Sequence, residues 1–447
     1  MTPNVRRLAC DVLYRVLYED AYSAIALNQC VKANALNAQD TAFLSALVYG
    51  VLERKITLEY IIRQYSSIRI KKIEKKTLII LCLGVFQLIF MDKVPDSAAV
   101  NESVKLCKAL KLNHSASFVN AVLRSFVRAD KQYRLPDEND RVKYLSVRYS
   151  CPEDIVALWL GQYGSEMCER ILTAIIGRPP LTVRVNTLKT SDEALTERLR
   201  EQGIMVDPVP FLPHALNLSR TGSLEKLDAF KEGLFYVEDA ASQLCAEILD
   251  AQAGDTVCDV CSAPGGKSYY SAIRMGNRGE VYSFDLHRHK LTLIEEGADR
   301  LGIDIIRTAQ RDAADSRHDL PACDRLLCDV PCSGLGILRR KPEIRYKTDT
   351  NIDNLPKLQY SILCTSADKV PKNCILVYST CTLNDAENIA VVSRFLAEHP
   401  DFVPEPIILP SGIERMIPEA EHCLTILPGV YNTDGFFIAR MRKAGKD

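Results

Sequence analysis

Apolar residues recur at helical spacing near the start of the chain. Val5, Leu8, Ala9, Val12, Leu13, Val16 and Leu17 fall on one face and predict an amphipathic helix. Asp40 precedes a second such pattern, Phe43, Leu44, Leu47 and Val48, where it is expected to cap the helix. The run from Leu78 to Met91 is apolar nearly throughout but spans only 14 residues. A bilayer crossing needs about 20, so a buried core helix is expected there. Pro95-Asp96-Ser97-Ala98-Ala99-Val100 reads as a turn into another helix. Phe118-Val119-Asn120-Ala121-Val122-Leu123-Arg124 reads as the opening of the last one. Residues 1–130 thus predict an all-helical bundle.

The period changes downstream. Residues 131–150 are polar and charged and read as a linker. After Pro179-Pro180, Leu181-Thr182-Val183-Arg184-Val185-Asn186 alternates as a strand does, and a helix is expected over 192–202. Residues 131–235 are therefore expected to hold a linker and a small α+β domain. From 236 to 447, strand-like runs at 256–260, 280–285, 303–308, 325–329 and 375–379 alternate with helical patterns. A last pair of strands flanks Asn432-Thr433-Asp434-Gly435. Such alternation predicts a Rossmann-like α/β domain, a parallel sheet with helices on both faces.

At 447 residues, two or three domains are expected. The N-terminus lacks the charged-then-apolar pattern of a signal peptide. Sixteen cysteines scattered through such a chain read most simply as reduced thiols of a cytoplasmic protein. Cys258-x-x-Cys261 has the spacing of half a zinc site, but no second such pair exists and no metal is expected. Net charge is −1, from 56 basic and 57 acidic side chains, yet its distribution is uneven. Residues 1–130 carry 18 Lys and Arg against 11 Asp and Glu, which is +7 and leaves −8 for the rest. Arg69, Lys71, Lys72, Lys75 and Lys76 concentrate that charge. A basic module on an otherwise acidic chain suits an acidic ligand such as RNA.

Asp259-Val260-Cys261-Ser262-Ala263-Pro264-Gly265-Gly266-Lys267 follows the first strand of the α/β region. Doubly wound sheets hold nucleotides at such a turn, and glycine lets the backbone approach the ligand. Asp285 lies nineteen residues after Gly266 at the end of the second strand, where an acidic side chain accepts hydrogen bonds from ribose hydroxyls. Asp312 follows the third strand and can reach the adenine end. The turn is neither Gly-x-Gly-x-x-Gly nor a P-loop. A ligand with ribose and adenine but no polyphosphate fits it, and S-adenosyl-L-methionine is the candidate.

Two cysteines follow later strand-like runs: Cys332 in Asp329-Val330-Pro331-Cys332-Ser333-Gly334, and Cys381 in Tyr378-Ser379-Thr380-Cys381-Thr382. Strand-end thiols beside a methyl donor point to nucleophilic chemistry. A thiolate that adds to carbon 6 of cytosine makes carbon 5 nucleophilic, and a general base then removes the carbon-5 proton. Asp329 is placed to bind the ring's N3 or amino edge, and Lys267 stands in the first turn of the helix after the glycines. Spacing alone does not rank the two thiols. The following loop holds Arg339, Arg340, Lys341 and Arg345. It is expected to hang over the site and to meet a phosphate backbone.

The motifs at 259–267, 329–343 and 379–382 together resemble the Sun-class RNA cytosine-carbon-5 methyltransferases. Pro-x-x-Ala-Ala-Val-Asn-Glu (95–102) and Phe-Val-Asn-Ala-Val-Leu-Arg (118–124) resemble a NusB-like RNA-binding domain, a fusion typical of the RsmB type that acts on bacterial 16S rRNA. Residues 181–189 and Ala-Ser-Gln-Leu (241–244) fit as well. The resemblance implies S-adenosyl-L-methionine contacts from Cys261, Ser262, Ala263, Pro264, Gly265, Gly266 and Lys267, with Asp285, Asp312 and Asp329. It implies that Cys381 is the nucleophile and that Cys332 assists product release, with Asp329 and Lys267 in the catalytic set. DNA cytosine methyltransferases instead use the Pro-Cys thiol with Glu-Asn-Val, which this chain lacks; its Glu387-Asn388-Ile389 follows the Thr-Cys motif. The implied substrate is one cytosine of 16S rRNA, handled by a monomer without a membrane. Relatives usually have Gln-Asp where this chain has Glu238-Asp239, and many have a His near Ser150, where this chain has Cys151.

Two other readings stand beside this one: a tRNA cytosine-carbon-5 methyltransferase of the same fold, and a non-catalytic RNA-binding or antitermination factor. The charge asymmetry yields a direct expectation. Removing residues 1–130 weakens RNA binding, measured by filter retention, far more than cofactor binding. Equal RNA affinity with and without the segment contradicts it.

Overall fold

A computed structural model describes residues 4–347 and 354–444. Its contacts divide the described chain into a helical unit, residues 4–178 with 338–347, and a sheet unit, residues 179–337 with 354–444.

The helical unit contains α1 (Val5–Tyr18), α2 (Ser23–Ala33), α3 (Ala38–Tyr65), α4 (Lys75–Phe90), α5 (Asp96–Ala109), α6 (Asn113–Arg128), α7 (Arg141–Tyr149) and α8 (Glu153–Ala174). Asn37, not Asp40, caps α3: its side-chain oxygen accepts from the Asp40 amide at 2.8 Å. Asp40 sits in the first turn, where a negative charge favours the helix dipole. The helix α4 is buried continuously from Thr77 to Leu88, as a helix apolar on all faces must be. The helix α6 begins at Asn113, well before Phe118. Its polar first turns hide the start, and Ser115 there is buried against Thr77, hydroxyl to hydroxyl at 3.0 Å. Within the stretch read as a linker, α7 packs on α3. The Thr57 hydroxyl donates to the Val147 carbonyl at 2.6 Å, and the Ile56 amide donates to the Ser150 hydroxyl at 2.9 Å. Truncation after residue 130 therefore also strips α7 of its partner. Charge reversal at the exposed Arg69, Lys71, Lys72 and Lys75 probes RNA binding without that loss.

Residues far along the chain complete this unit. Glu343 is 2% exposed, and its carboxylate accepts from the Ser23 amide at 3.0 Å and hydroxyl at 2.8 Å. Arg345 is also buried and donates to the carbonyls of Glu53, Ser150 and Ile175 at 3.0, 3.2 and 2.8 Å. The Tyr346 hydroxyl donates to the Leu52 carbonyl at 2.7 Å, and Arg339 to the Arg178 carbonyl at 2.6 Å. This corrects the expectation of phosphate contacts for Arg339 and Arg345, whose guanidiniums go to carbonyls of the helical unit. The Arg345 guanidinium is consumed by buried carbonyls that would otherwise lack a donor.

The sheet unit contains β1 (Leu181–Val185), β2 (Met205–Pro208), β3 (Ala215–Ser219), β4 (Phe235–Val237), β5 (Thr256–Asp259), β6 (Glu280–Asp285), β7 (Ile306–Gln310), β8 (Arg325–Asp329), β9 (Ile375–Thr380), β10 (Phe402–Pro404), β11 (Cys423–Ile426) and β12 (Phe436–Lys443). The first four form an antiparallel sheet ordered β2–β3–β1–β4. The rest form a second sheet, ordered β10–β12–β9–β8–β5–β6–β7, with β11 beside β12. Within it β5 to β9 are mutually parallel and β12 runs against β9. Apolar clusters cover both faces, as a parallel sheet requires. The third strand starts at Ile306 rather than 303. The helix Arg288–Leu301 ends on Gly302 at φ +71°, and the Ile303 amide closes that end on the Ala298 carbonyl at 2.9 Å. Asn186 ties the small sheet to that helix, donating to the carbonyls of Gly233 and Leu301 at 2.9 and 2.8 Å. Among the described residues no helix is long and apolar enough to cross a membrane.

Arg345→Met keeps the apolar stem and removes the donors. It is expected to destabilise the helical unit by about 2–4 kcal/mol, because buried acceptors are left unpaired. Urea unfolding of the full chain, followed by helical circular dichroism, measures the loss.

Candidate active site

Strand β5 ends in Asp259, and the chain turns through 260–265 into the helix Gly266–Arg274. Two glycines are needed there for separate reasons. Gly265 has φ +107°, and a Cβ on it would lie 2.6 Å from the Tyr269 ring. A Cβ on Gly266 would lie 2.5 Å from a Glu238 carboxylate oxygen. Ser262 anchors the turn by donating its hydroxyl to the Phe284 carbonyl at 2.9 Å. Burial pushes the neighbouring Cys261 thiol well up, so it stays protonated. Asp259 accepts from the Ser268 hydroxyl at 2.8 Å on one oxygen, while the other, buried, has no hydrogen-bond partner. Burial lifts this carboxyl from near 3.8 to about 7, against the Ser268 bond and the Lys267 charge.

Asp285 closes β6, nearly buried, with one oxygen accepting from the His287 amide at 2.9 Å and lying 3.5 Å from the Lys290 ammonium. Asp312 lies two residues beyond β7 and accepts from the Ala314 amide at 2.9 Å. Both acids thus stand at the carboxyl edge of the sheet, level with the turn.

Lys267 meets Asp329 at 2.7 Å, and the other Asp329 oxygen accepts from the Ser379 hydroxyl at 2.9 Å. Burial works against the Lys267 charge, but Asp329, Cys245 and Glu238 outweigh it and raise the ammonium's pKa. Glu238, left without a role by the sequence, lies buried beside this pair. Its oxygens accept from the hydroxyls of Ser242 at 2.9 Å and Tyr236 at 3.4 Å. Burial raises its carboxyl, with Lys267 opposing.

The thiols come together. Asp329 pairs with Ser379 across β8 and β9, and the Val330 amide extends the ladder to the Ser379 carbonyl at 3.1 Å. Cys381 follows β9 directly, Cys332 lies three residues beyond β8, and their sulfurs lie 3.3 Å apart as free thiols. The hydrogen bond to Cys381, then burial, pushes the Cys332 thiol well above its usual value. Two thiolates at that distance would repel, so the two sulfurs titrate as a pair.

Sequence reasoning grouped Cys332, Cys381, Asp329, Lys267 and the glycine turn, and the structure gathers them at one sheet edge. It passed over Ser379, whose signal was its place in Ser-Thr-Cys, and Asp259, whose burial no pattern announces.

Comparison with known proteins establishes the family. The family described as 16S rRNA methyltransferase RsmB/F matches residues 246–442, the NusB family 3–128, and an RsmF/B-like ferredoxin-like domain 151–225. A Bacillus subtilis protein named "Probable ribosomal RNA small subunit methyltransferase B" is 38% identical over 99% of both chains. The chain belongs to the RsmB family of 16S rRNA methyltransferases. A Synechocystis relative of the same name is 36% identical over 99% of this RsmB-family chain and 100% of its own. The solved structure of NSun6 from Pyrococcus horikoshii with SFG superposes with a TM-score of 0.59 over 66% of this chain and 99% of that one, at 22% identity, a likeness of fold. As a family member the chain is a small-subunit rRNA methyltransferase.

The raised Asp259 carboxyl has a measurable sign. Its folded pKa, about 7, exceeds the unfolded value near 3.8, so the native state holds a proton that the unfolded chain releases. Stability from this group is full below about pH 4 and is lost as pH rises to about 7. Asp259→Asn is expected to flatten the fall in urea midpoint across that window. An unchanged slope contradicts it.

Proposed function

We propose that the chain methylates carbon 5 of one cytosine in 16S rRNA, using S-adenosyl-L-methionine and a covalent bond between Cys381 and carbon 6 of the base. The observation that carries this reading is the thiol pair. Two free thiols stand 3.3 Å apart at neighbouring strand ends beside Asp329, and the Ser-Thr-Cys-Thr motif, by its family resemblance, makes Cys381 the attacking thiol.

The residues present suit the cofactor. The turn Cys261, Ser262, Ala263, Pro264, Gly265, Gly266 and Lys267, with Asp285, Asp312 and Asp329, would hold it. Asp259 offers a buried oxygen without a partner at the same strand end, and Asp285 presents an acceptor for a ribose hydroxyl. NSun6 of the same fold was solved with SFG, an analogue of S-adenosyl-L-methionine. Bound there, the cofactor supplies an electrophilic methyl group to the activated carbon 5.

The chain's own residues do the rest. Cys381 adds to carbon 6. Asp329, fixed by Lys267 and Ser379, accepts from the amino edge of the pyrimidine and orients the ring for the addition. After the methyl has arrived, water acting as general base takes the carbon-5 proton, the carbon 5–carbon 6 double bond re-forms, and the Cys381–carbon 6 bond breaks with its electron pair on sulfur. Cys332 assists this release from 3.3 Å, close enough to return a proton to the departing Cys381 sulfur. The basic face of the helical unit supplies a phosphate-binding surface through Arg69, Lys71, Lys72 and Lys75.

The test is transfer of labelled methyl from S-adenosyl-L-methionine to unmodified small-subunit rRNA, with 5-methylcytosine mapped in the product. Cys381→Ala is expected to reduce turnover by at least about a thousandfold, as loss of a nucleophile does. Cys332→Ala is expected to accumulate a protein–RNA adduct, with release slowed about 10²–10⁴-fold. An adduct that persists in Cys381→Ala but not in Cys332→Ala reverses the two roles.

A further inference from the structure

Glu387 is a fully buried carboxylate whose donors are all neutral. One oxygen accepts from the Ser333 amide at 2.8 Å and the Gln359 side-chain amide at 2.9 Å. The other accepts from the Ser333 hydroxyl at 2.5 Å and the Asn384 amide at 2.9 Å. With its proton given to Glu387, the Ser333 hydroxyl accepts from the Thr382 hydroxyl at 2.7 Å. Ser333 follows Cys332, and Thr382 follows Cys381. One carboxylate therefore reaches the residue beside each thiol.

The neighbours reinforce the bridge. Gln359 also donates to the Pro331 carbonyl at 3.0 Å, on the other side of Cys332. Asn388 donates to the Thr382 carbonyl at 3.0 Å and accepts from the Thr380 hydroxyl at 2.6 Å, gripping both sides of Cys381. The Tyr378 hydroxyl donates to the Glu387 carbonyl at 2.6 Å, tying the segment back to β9. Burying a carboxylate without a cation is costly unless its acceptor capacity is filled, and here each oxygen takes two donors.

We propose that Glu387 is a positioning residue: through Ser333 and Thr382 it holds the Cys332 and Cys381 sulfurs at the spacing that proton return between them requires. This rests on the thiol roles proposed above. Its negative charge also stands, after Cys381 and burial, among the causes that keep the proton on Cys332.

Spacing can be read without RNA. Diamide takes up the two hydrogen atoms that the thiols lose as one S–S bond forms, and the linked Cys332–Cys381 peptide is followed by mass spectrometry. In Glu387→Gln the amide sets an N–H against donors that need an acceptor. Cross-linking is expected to slow about tenfold or more, and kcat to fall about 100-fold, the scale of a misplacement near 1 Å. KM for S-adenosyl-L-methionine should stay within about twofold. Thr382→Val removes a single hydroxyl and should lower both rates in the same direction, which keeps the test open if Glu387→Gln does not fold. A cross-linking rate unchanged in the variants that fold overturns the proposal, whatever happens to turnover. Slower cross-linking, together with full turnover in Cys381→Ala, retains the positioning role and sinks the cytosine chemistry instead.

Discussion

Strands β8 and β9 run side by side and stop level with each other, Asp329 opposite Ser379. The site depends on that parallel register. A slip of one residue would turn every side chain of a strand to the other face. With the register held, the Ser379 hydroxyl reaches Asp329, the Val330 amide continues the ladder, and the Gly336 amide returns to the Cys381 carbonyl at 3.0 Å. Two thiols separated by 49 positions then meet at 3.3 Å.

Around this register the sheet unit solves one physical problem in two ways. Beside the glycine turn, Asp329 and Glu238 flank a cation, Lys267, and the buried charges offset one another. On the thiol side, Glu387 has no cation and is satisfied by amides and hydroxyls alone. The first arrangement suits a place where charge must be presented to a ligand. The second suits a rigid mount, since neutral donors with fixed geometry hold a carboxylate in one orientation.

Legibility in the sequence followed how local each cause is. Strands β6 and β8 can be bounded correctly because polar residues, Glu280 and Asp285 or Arg325 and Asp329, mark both ends of a largely apolar run. Strand β7 was set too early because Ile303 looks like a strand residue but serves to close the preceding helix. The cap of α3 was set three residues late because Asn37 and Asp40 both carry capping side chains. The thiols, the lysine and the glycine turn were readable as motifs with a chemistry. Glu387 was not, since an acid in Leu383-Asn384-Asp385-Ala386-Glu387-Asn388 looks like an ordinary surface loop until Ser333 arrives from β8. Arg345 misled for the same reason: its charge suggested solvent or phosphate, and its carbonyl partners come from three distant segments.

Glu343 and Arg345 also bear on how the chain emerges from the ribosome. The helices through α8 are synthesised first, but the side chains that occupy the pocket around Ser23, Ser150 and Ile175 come only after residue 338. Until then the Ser150 and Ile175 carbonyls lack their guanidinium partner, and the helical unit waits, incomplete, while the small sheet and four strands of the larger sheet are made. Vectorial synthesis therefore cannot finish this protein one domain at a time; its first-made part is sealed by a late-made one.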